Sequence, residues 1–272
     1  MRSQPSQQEI DFYQDNGYVV IENFLTPAEL EDWRTNVHEA CEERKLAPKP
    51  KEGDPWLINS TENSNNDYYA NVFLQCIKLA DTHDGMRRIM LDPALGEFAA
   101  TLGQMDGIRI WHDQALIKPP FGNPTGWHLD NPYWSFYDKR SLSIWVALDD
   151  ATLGNGCMWY VPGSHRTARF ENANIGQNMG DLFKIYPEWT DITPVACPCP
   201  AGSAVFHNGI VAHGAGANMT NKPRRAMTCA YMPDGATFNG QQNVLPKTYF
   251  DTLTHGQALA DDTINPLVWK KP

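Results

Sequence analysis

From Ile108 to Met232 the chain runs in short stretches of β-forming residues, each broken by Gly or Pro within a few positions. That punctuation restricts the fold more than any other feature, because short strands separated by such turns build jelly-rolls and barrels. Ser141–Leu148 is the most readable strand. Side chains alternate between the two faces of a strand, so Leu142, Ile144, Val146 and Leu148 share one face and Ser143, Trp145 and Ala147 the other. The first face belongs against a core. The second, small residues around one large ring, suits a strand that faces a cavity. Ser203–His207 follows an Ala201-Gly202 turn as a further strand. Arg224–Met232 is another, with Arg224, Ala226 and Thr228 on one face and Arg225, Met227 and Tyr231 on the other. Asn155-Gly156 reads as a two-residue hairpin turn, with Cys157–Val161 as the returning strand.

The first third has a different character. Residues 8–24 predict a short helix and then a strand, with Gly17 between them. Thr26, Pro27 and Glu29 form a capping box with proline in the first turn, and Leu30, Trp33, Val37 and Cys41 follow at helical spacing. Residues 47–70, rich in Pro48, Pro50, Pro55, Asn63, Asn65 and Asn66, read as a long loop. Helices are expected over Asp84–Leu91 and from Asp92-Pro93 to Gly103. Residues 166–195 look irregular, as an excursion over a site entrance would. The expected organisation is one domain over 1–272: a helical part to about residue 105, a mainly β jelly-roll core over about 106–235, and an extension over 236–272.

Within the β region, His128 and Asp130 stand two apart. On an extended strand that spacing puts both on one face with Cα atoms roughly 6.5 Å apart, close enough to grip one metal ion. His213 is the candidate third ligand. Two histidines and a carboxylate form a facial triad, which suits non-haem Fe(II) and leaves positions open. The triplet by itself is ordinary, since structural histidines outnumber ligands; its conjunction with a downstream histidine, Arg224 and strand-like flanks gives it weight. A zinc-type hydrolase with an activated water and a non-catalytic binding jelly-roll are the alternatives. The hydrolase leaves Arg224 unexplained. The cluster Tyr133, Trp134, Phe136 and Tyr137 after the triplet could be core or could wall a substrate pocket.

A formal charge of −10 over 272 residues gives no overall attraction to nucleic acid or anionic lipid. No run approaches ~18 apolar residues, so no membrane span is expected. The polar start Met1-Arg2-Ser3-Gln4-Pro5 lacks an apolar stretch like that of a secretory signal. The six cysteines therefore read as reduced thiols of a cytoplasmic protein, a monomer or homodimer whose partner is a small molecule.

The ordered set of motifs resembles the phytanoyl-CoA dioxygenase family of Fe(II)- and 2-oxoglutarate-dependent oxygenases. It runs from Gly17-Tyr18-Val19-Val20-Ile21 and Phe24-Leu25 through Lys118-Pro119-Pro120, His128-x-Asp130 and Trp145-Val146-Ala147-Leu148-Asp149-Asp150. It continues through Asn155-Gly156-Cys157, Val161-Pro162-Gly163-Ser164-His165 and Ala201–His207, to His213-Gly214, Asn218 and Arg224. The resemblance implies a double-stranded β-helix with flanking helices. It implies His128, Asp130 and His213 as iron ligands and Arg224 as partner of the distal carboxylate of 2-oxoglutarate. Trp145 and Lys118 match positions near that co-substrate, and Gln114 matches a polar contact to it. The implied reaction consumes O2 and 2-oxoglutarate, releases succinate and CO2, and hydroxylates an unactivated C–H. The spacing to Arg224 selects His213 over His207 as ligand; His207 and His112 are assigned to structure. Where the family often has a hydroxyl residue two positions after the distal histidine, this chain has Ala215, which removes one hydrogen bond to the co-substrate. The acidic chain and the aromatic wall of Tyr133, Trp134 and Phe136 favour a free, non-CoA substrate, unless Arg87-Arg88 or Lys49 and Lys51 bring charge to the entrance.

Overall fold

A computed structural model describes residues 1–60 and 67–272; Asn63, Asn65 and Asn66 lie outside the described residues. The chain opens with α1 (Gln7–Asn16), β1 (Tyr18–Ile21) and α2 (Pro27–Leu46), then β2 (Ile58–Asn59), α3 (Asp67–Ala70) and β3 (Leu74–Ile77). Helices α4 (Asp84–Met90) and α5 (Pro93–Leu102) lead into β4 (Gly107–Lys118) and β5 (Thr125–His128). After β6 (Leu142–Ala147) and β7 (Met158–Tyr160) come α6 (Leu182–Ile185), β8 (Val195–Cys197), β9 (Ala204–Asn208), β10 (His213–Ala215) and β11 (Arg224–Pro233). Helix α7 (Lys247–Phe250) and β12 (Leu267–Lys270) complete the order. The larger sheet runs β1-β9-β6-β11-β4-β3-β2 with β12 also on β4; the smaller runs β5-β10-β7-β8. This is the mainly β, double-stranded β-helix with flanking helices that the motif order implied.

The alternation in β6 decides which way the larger sheet faces. Leu142, Ile144 and Val146 join Met227, Cys229 and Tyr231 of β11 in one core with Trp33 and Val37 of α2 and Leu95 and Phe98 of α5. Each such side chain withdrawn from water contributes about 1.5–3 kcal/mol, so the helices are held to this face by burial. Trp145, Ala147 and Ala226 point the other way, into a second cluster between the sheets with Tyr160 of β7.

Local signals set the helix ends. Thr26 accepts a hydrogen bond from the Glu29 amide, and Glu29 reaches back to the Thr26 amide at 2.8 Å. Gly17 ends α1 at φ 80°, in the left-handed region that favours glycine. Replacing Thr26 with alanine strands the Glu29 amide and should cost about 1 kcal/mol, lowering the melting temperature of the ligand-free protein by roughly 2–4 °C. An unchanged melting curve would show that tertiary burial alone holds α2.

The hairpin expected at Asn155-Gly156 does not form. β6 pairs with β9 and β11, whereas β7 lies in the other sheet between β10 and β8. The Asn-Gly turn instead carries the chain from one sheet to the other. Asn155 closes it by accepting from the Thr152 amide at 2.7 Å and donating to the Asp150 carbonyl at 2.8 Å. At Gly156, with φ 88°, a Cβ would stand 2.5 Å from the Gly216 carbonyl oxygen, so only glycine fits. No helix among the described residues is long and apolar enough to cross a membrane.

Candidate metal centre

Strand register brings the two histidines together. β5 and β10 are antiparallel neighbours with His213 directly opposite His128, and the ring centroids lie 4.2 Å apart. The Nδ1 of His128 is 2.8 Å from the Gly126 carbonyl, and that of His213 is 3.0 Å from the Val211 carbonyl. A carbonyl only accepts, so each Nδ1 carries the proton and each Nε2 keeps its lone pair for a metal. Burial and the neighbouring His128 hold His213 well below the usual histidine range, in the neutral form a ligand requires.

Asp130 reaches the same place by a different route from the one its spacing suggested. β5 ends at His128, and Asp130 stands beyond it in helical backbone (φ −78°, ψ −53°) ahead of a single 3-10 turn over Asn131–Tyr133. The turn swings the carboxylate inward, so Oδ1 sits 3.6 Å from Nε2 of both His128 and His213. These separations are too long for good hydrogen bonds and leave room for an ion between the three atoms. The ligand atoms of His128, Asp130 and His213 lie within 4.8 Å of one another. Burial alone would raise the Asp130 carboxyl, but His213, His128 and His207 outweigh it and hold it well below the ordinary carboxylate range. Two imidazoles and one ionised carboxylate make a donor set fit for a divalent iron.

The triad borders a cavity of about 520 Å³ that Arg224 also lines. Arg224 opens β11 on the inner face, 2% exposed. Its Nη2 donates to the Gly156 carbonyl at 3.1 Å, and the guanidinium lies 5.1 Å from the Trp145 ring centroid. Nε and Nη1 are buried with no hydrogen-bond partner among the described residues. Burial lowers its pKa to about 10, so the group stays charged at neutral pH. A buried cation with two idle donors is costly by itself and is what an incoming carboxylate would satisfy. Arg225, on the opposite face as expected, pairs with Asp149 at 2.7 Å.

The remaining sequence-predicted residues divide. Trp145, Gln114, Tyr133 and Trp134 line the cavity, Gln114 with its amide oxygen hydrogen-bonded to Gln75 and Tyr133 with its hydroxyl on the Ala173 carbonyl at 2.8 Å. Phe136 does not line it. It is fully buried in an outer cluster, edge-on to Trp111 at 5.5 Å, because the chain turns away from the cavity after Trp134. Lys118 stands behind the wall. Its ammonium donates to the carbonyls of Asn123 at 2.5 Å and Val72 at 3.3 Å, and burial with the nearby Arg224 lowers its pKa to about 7. His112, expected to be structural, lines the cavity with Nδ1 unpartnered among the described residues and burial lowering its pKa to about 4. Its neighbour Asp113 points to the opposite face, where it accepts from the Leu79 amide at 2.8 Å.

Sequence reasoning missed other contributors. His207 also lines the cavity and touches Asp130. Asn243 and Val244 come from the C-terminal extension, Tyr69 and Phe73 from around α3, and Asn174 and Ile175 from the irregular excursion. No short-range pattern announces such contacts; Asn243, for one, is held by a hydrogen bond from the Trp111 indole nitrogen to its side-chain oxygen at 3.2 Å, across 132 positions of sequence.

Residues 13–226 match the family model described as Phytanoyl-CoA dioxygenase (PhyH). A phytanoyl-CoA dioxygenase of Arabidopsis thaliana is 24% identical over 241 residues, covering 80% of this chain and 85% of that one. Among solved structures, the non-haem α-ketoglutarate-dependent carbocyclase SnoK from nogalamycin biosynthesis superposes with a TM-score of 0.76. It is 27% identical and covers 97% of this chain and 96% of its own. EctD from S. alaskensis, solved with 2-oxoglutarate and 5-hydroxyectoine, has a TM-score of 0.69 at 21% identity, over 94% and 86% of the two chains. The fold, the His-Asp-His set and the match over most of the chain make this protein a member of the phytanoyl-CoA dioxygenase family, an enzyme of the non-haem Fe(II)- and 2-oxoglutarate-dependent dioxygenases.

Proposed function

We propose that the enzyme hydroxylates an unactivated C–H of a small, free organic molecule. In this reading His128, Asp130 and His213 hold the iron and Arg224 takes the distal carboxylate of 2-oxoglutarate. One observation carries it: a buried guanidinium with two unpartnered nitrogens lines the same cavity as the triad. A zinc hydrolase needs an activated water at its metal, and that water does not account for the cation. Iron and the 2-oxo acid, when bound, supply the oxidation of C–H by dioxygen with release of succinate and CO2. The protein's part is positioning and exclusion of water. The Nδ1–carbonyl bonds aim both Nε2 lone pairs into the site, Arg224 fixes the co-substrate by a planar fork, and the Trp145 ring backs that fork.

The substrate reading rests on the lining. Tyr69, Phe73, Tyr133 and Trp134 offer ring faces, while neutral His112, Asn174 and Asn243 offer a few polar contacts. Among the described residues, Arg224 is the one arginine or lysine lining the cavity, and in this reading it is engaged by the co-substrate. A CoA thioester brings several phosphate charges that call for a basic patch at the mouth. Arg88 is already paired with Asp32 at 2.8 Å, and Arg87 borders a separate small depression beside Lys78 and Trp111. The likeness to a carbocyclase from nogalamycin biosynthesis supports a natural-product or lipid-like intermediate.

Matched free and CoA-linked candidates, compared for 2-oxoglutarate- and oxygen-dependent succinate formation, test the reading. Turnover of the free acid or alcohol at least equal to that of its thioester is expected. A strong preference for the thioester that weakens with salt, and with Lys49→Ala or Lys51→Ala, would overturn it.

A further inference from the structure

Asp130 has two carboxylate oxygens, and the fold treats them differently. Oδ1 faces the two ligand histidines at 3.6 Å. Oδ2 accepts from the Ser143 hydroxyl at 3.0 Å and lies 3.2 Å from His207 Nε2. Ser143 and His207 are cross-strand partners on β6 and β9, in the larger sheet. His207 is held in turn: its Nδ1 is 3.1 Å from the hydroxyl of Tyr160, which sits opposite His213 in the smaller sheet. The Tyr160 ring stacks on Tyr18 with centroids 4.4 Å apart and planes within 8°, and Tyr18 is the partner of His207 on β1.

The geometry points to Tyr160, His207 and Ser143 as a positioning device that fixes Oδ1 of Asp130 toward the iron, and it rests on the reading of Asp130 as a ligand. The direction of each hydrogen bond follows from chemistry. An ionised carboxylate only accepts, so Nε2 of His207 carries a proton toward Asp130. In the tautomer protonated at Nε2 alone, Nδ1 accepts the Tyr160 hydroxyl. The result is a chain running from the smaller sheet through His207 to the carboxylate. Asp130 needs it because it lies outside β5, just ahead of a short 3-10 turn, where its backbone is in no strand ladder that would fix the direction of its side chain. His128 and His213 take their orientation from backbone carbonyls; Asp130 takes its own from side chains. Partners that orient a ligand typically contribute 10- to 100-fold to metal affinity. His207 is therefore a positioning residue and not a fourth ligand, consistent with its absence from the converging set.

Anaerobic Fe(II) titrations against a competing chelator test the device, with circular dichroism as the check of folding and no reliance on turnover. His207→Leu should weaken Fe(II) binding by about 10- to 100-fold. His207→Gln places an amide N–H where Nε2–H stood and should recover most of the loss. Tyr160→Phe removes one oxygen atom and should weaken binding by a smaller factor, about 10-fold, the lower end of that range. The visible charge-transfer absorbance of the anaerobic Fe(II)–2-oxoglutarate complex should shift in His207→Leu and return toward the parent spectrum in His207→Gln. Should His207→Leu fail to fold, Tyr160→Phe and His207→Gln still decide the matter. Parent affinity in Tyr160→Phe and His207→Leu, or equal losses in His207→Leu and His207→Gln, overturns the device. If Asp130→Ala binds Fe(II) as the parent does, the ligand reading itself falls.

Discussion

Asp130→Ala is expected to abolish turnover and strip the protein of tightly bound Fe(II) while leaving the fold intact. Asp130 is the single charged donor of the triad, so its loss removes the strongest attraction to a divalent cation as well as one ligand. The effect should exceed the 10- to 100-fold that follows from losing a partner of a ligand. The fold should tolerate the change because Asp130 contributes to no strand ladder. The donors it leaves behind, Ser143 and His207, line a cavity where water can reach them. His128→Ala and His213→Ala should behave alike in activity and iron content. Iron analysis, succinate formation and a melting curve on the same preparations give the answer; full turnover in any one of the three would remove that residue from the triad.

How much of this could be read from the sequence depends on how local each signal is. The alternation of Leu142, Ile144, Val146 and Leu148 against Ser143 and Trp145 survives intact because a strand fixes side-chain direction with period two. The caps at Thr26 and Asp92 survive because they are settled within four residues. Pairing between sheets is not local. The Asn155-Gly156 turn carried the same residues as a hairpin but served a crossover, since Gly156 had to bring its carbonyl to Arg224. Asp130 joins the two histidines from the start of a 3-10 turn although its spacing suits a strand, so its convergence rests on a geometry that spacing alone does not announce. Phe136 fell into the core because three residues of helical turn rotated the aromatic cluster. His207 was legible as a histidine in a strand, but the partner that gives it a role, Asp130, arrives only through tertiary packing.

Arg224→Lys should raise the 2-oxoglutarate requirement strongly, and Arg225→Lys should scarcely change it. Register puts both on β11, yet one lies inside the cavity beside Trp145 and the other is a half-exposed partner of Asp149. Lysine keeps the charge of Arg224 but cannot present two parallel N–H groups to a carboxylate, and it gives up the guanidinium contact with the Trp145 ring. Loss of a charge-assisted hydrogen bond of about 1.5–3 kcal/mol corresponds to roughly 10- to 150-fold weaker binding. A surface ion pair contributes about 0–1 kcal/mol, so Arg225→Lys should stay within roughly fivefold. Because burial leaves the Arg224 pKa at about 10, its fork is fully charged at pH 7–8, and 2-oxoglutarate affinity should not fall through loss of this charge until the pH nears that value. A thermal readout separates binding from chemistry. The buried guanidinium, with Nε and Nη1 left without partners among the described residues, burdens the ligand-free protein, so Arg224→Met should melt no lower than the parent without 2-oxoglutarate. It should also lose the rise in melting temperature that saturating co-substrate gives the parent. Equal losses of 2-oxoglutarate affinity in Arg224→Lys and Arg225→Lys would contradict the assignment of faces, and a full ligand-induced rise in Arg224→Met would remove Arg224 from the co-substrate site.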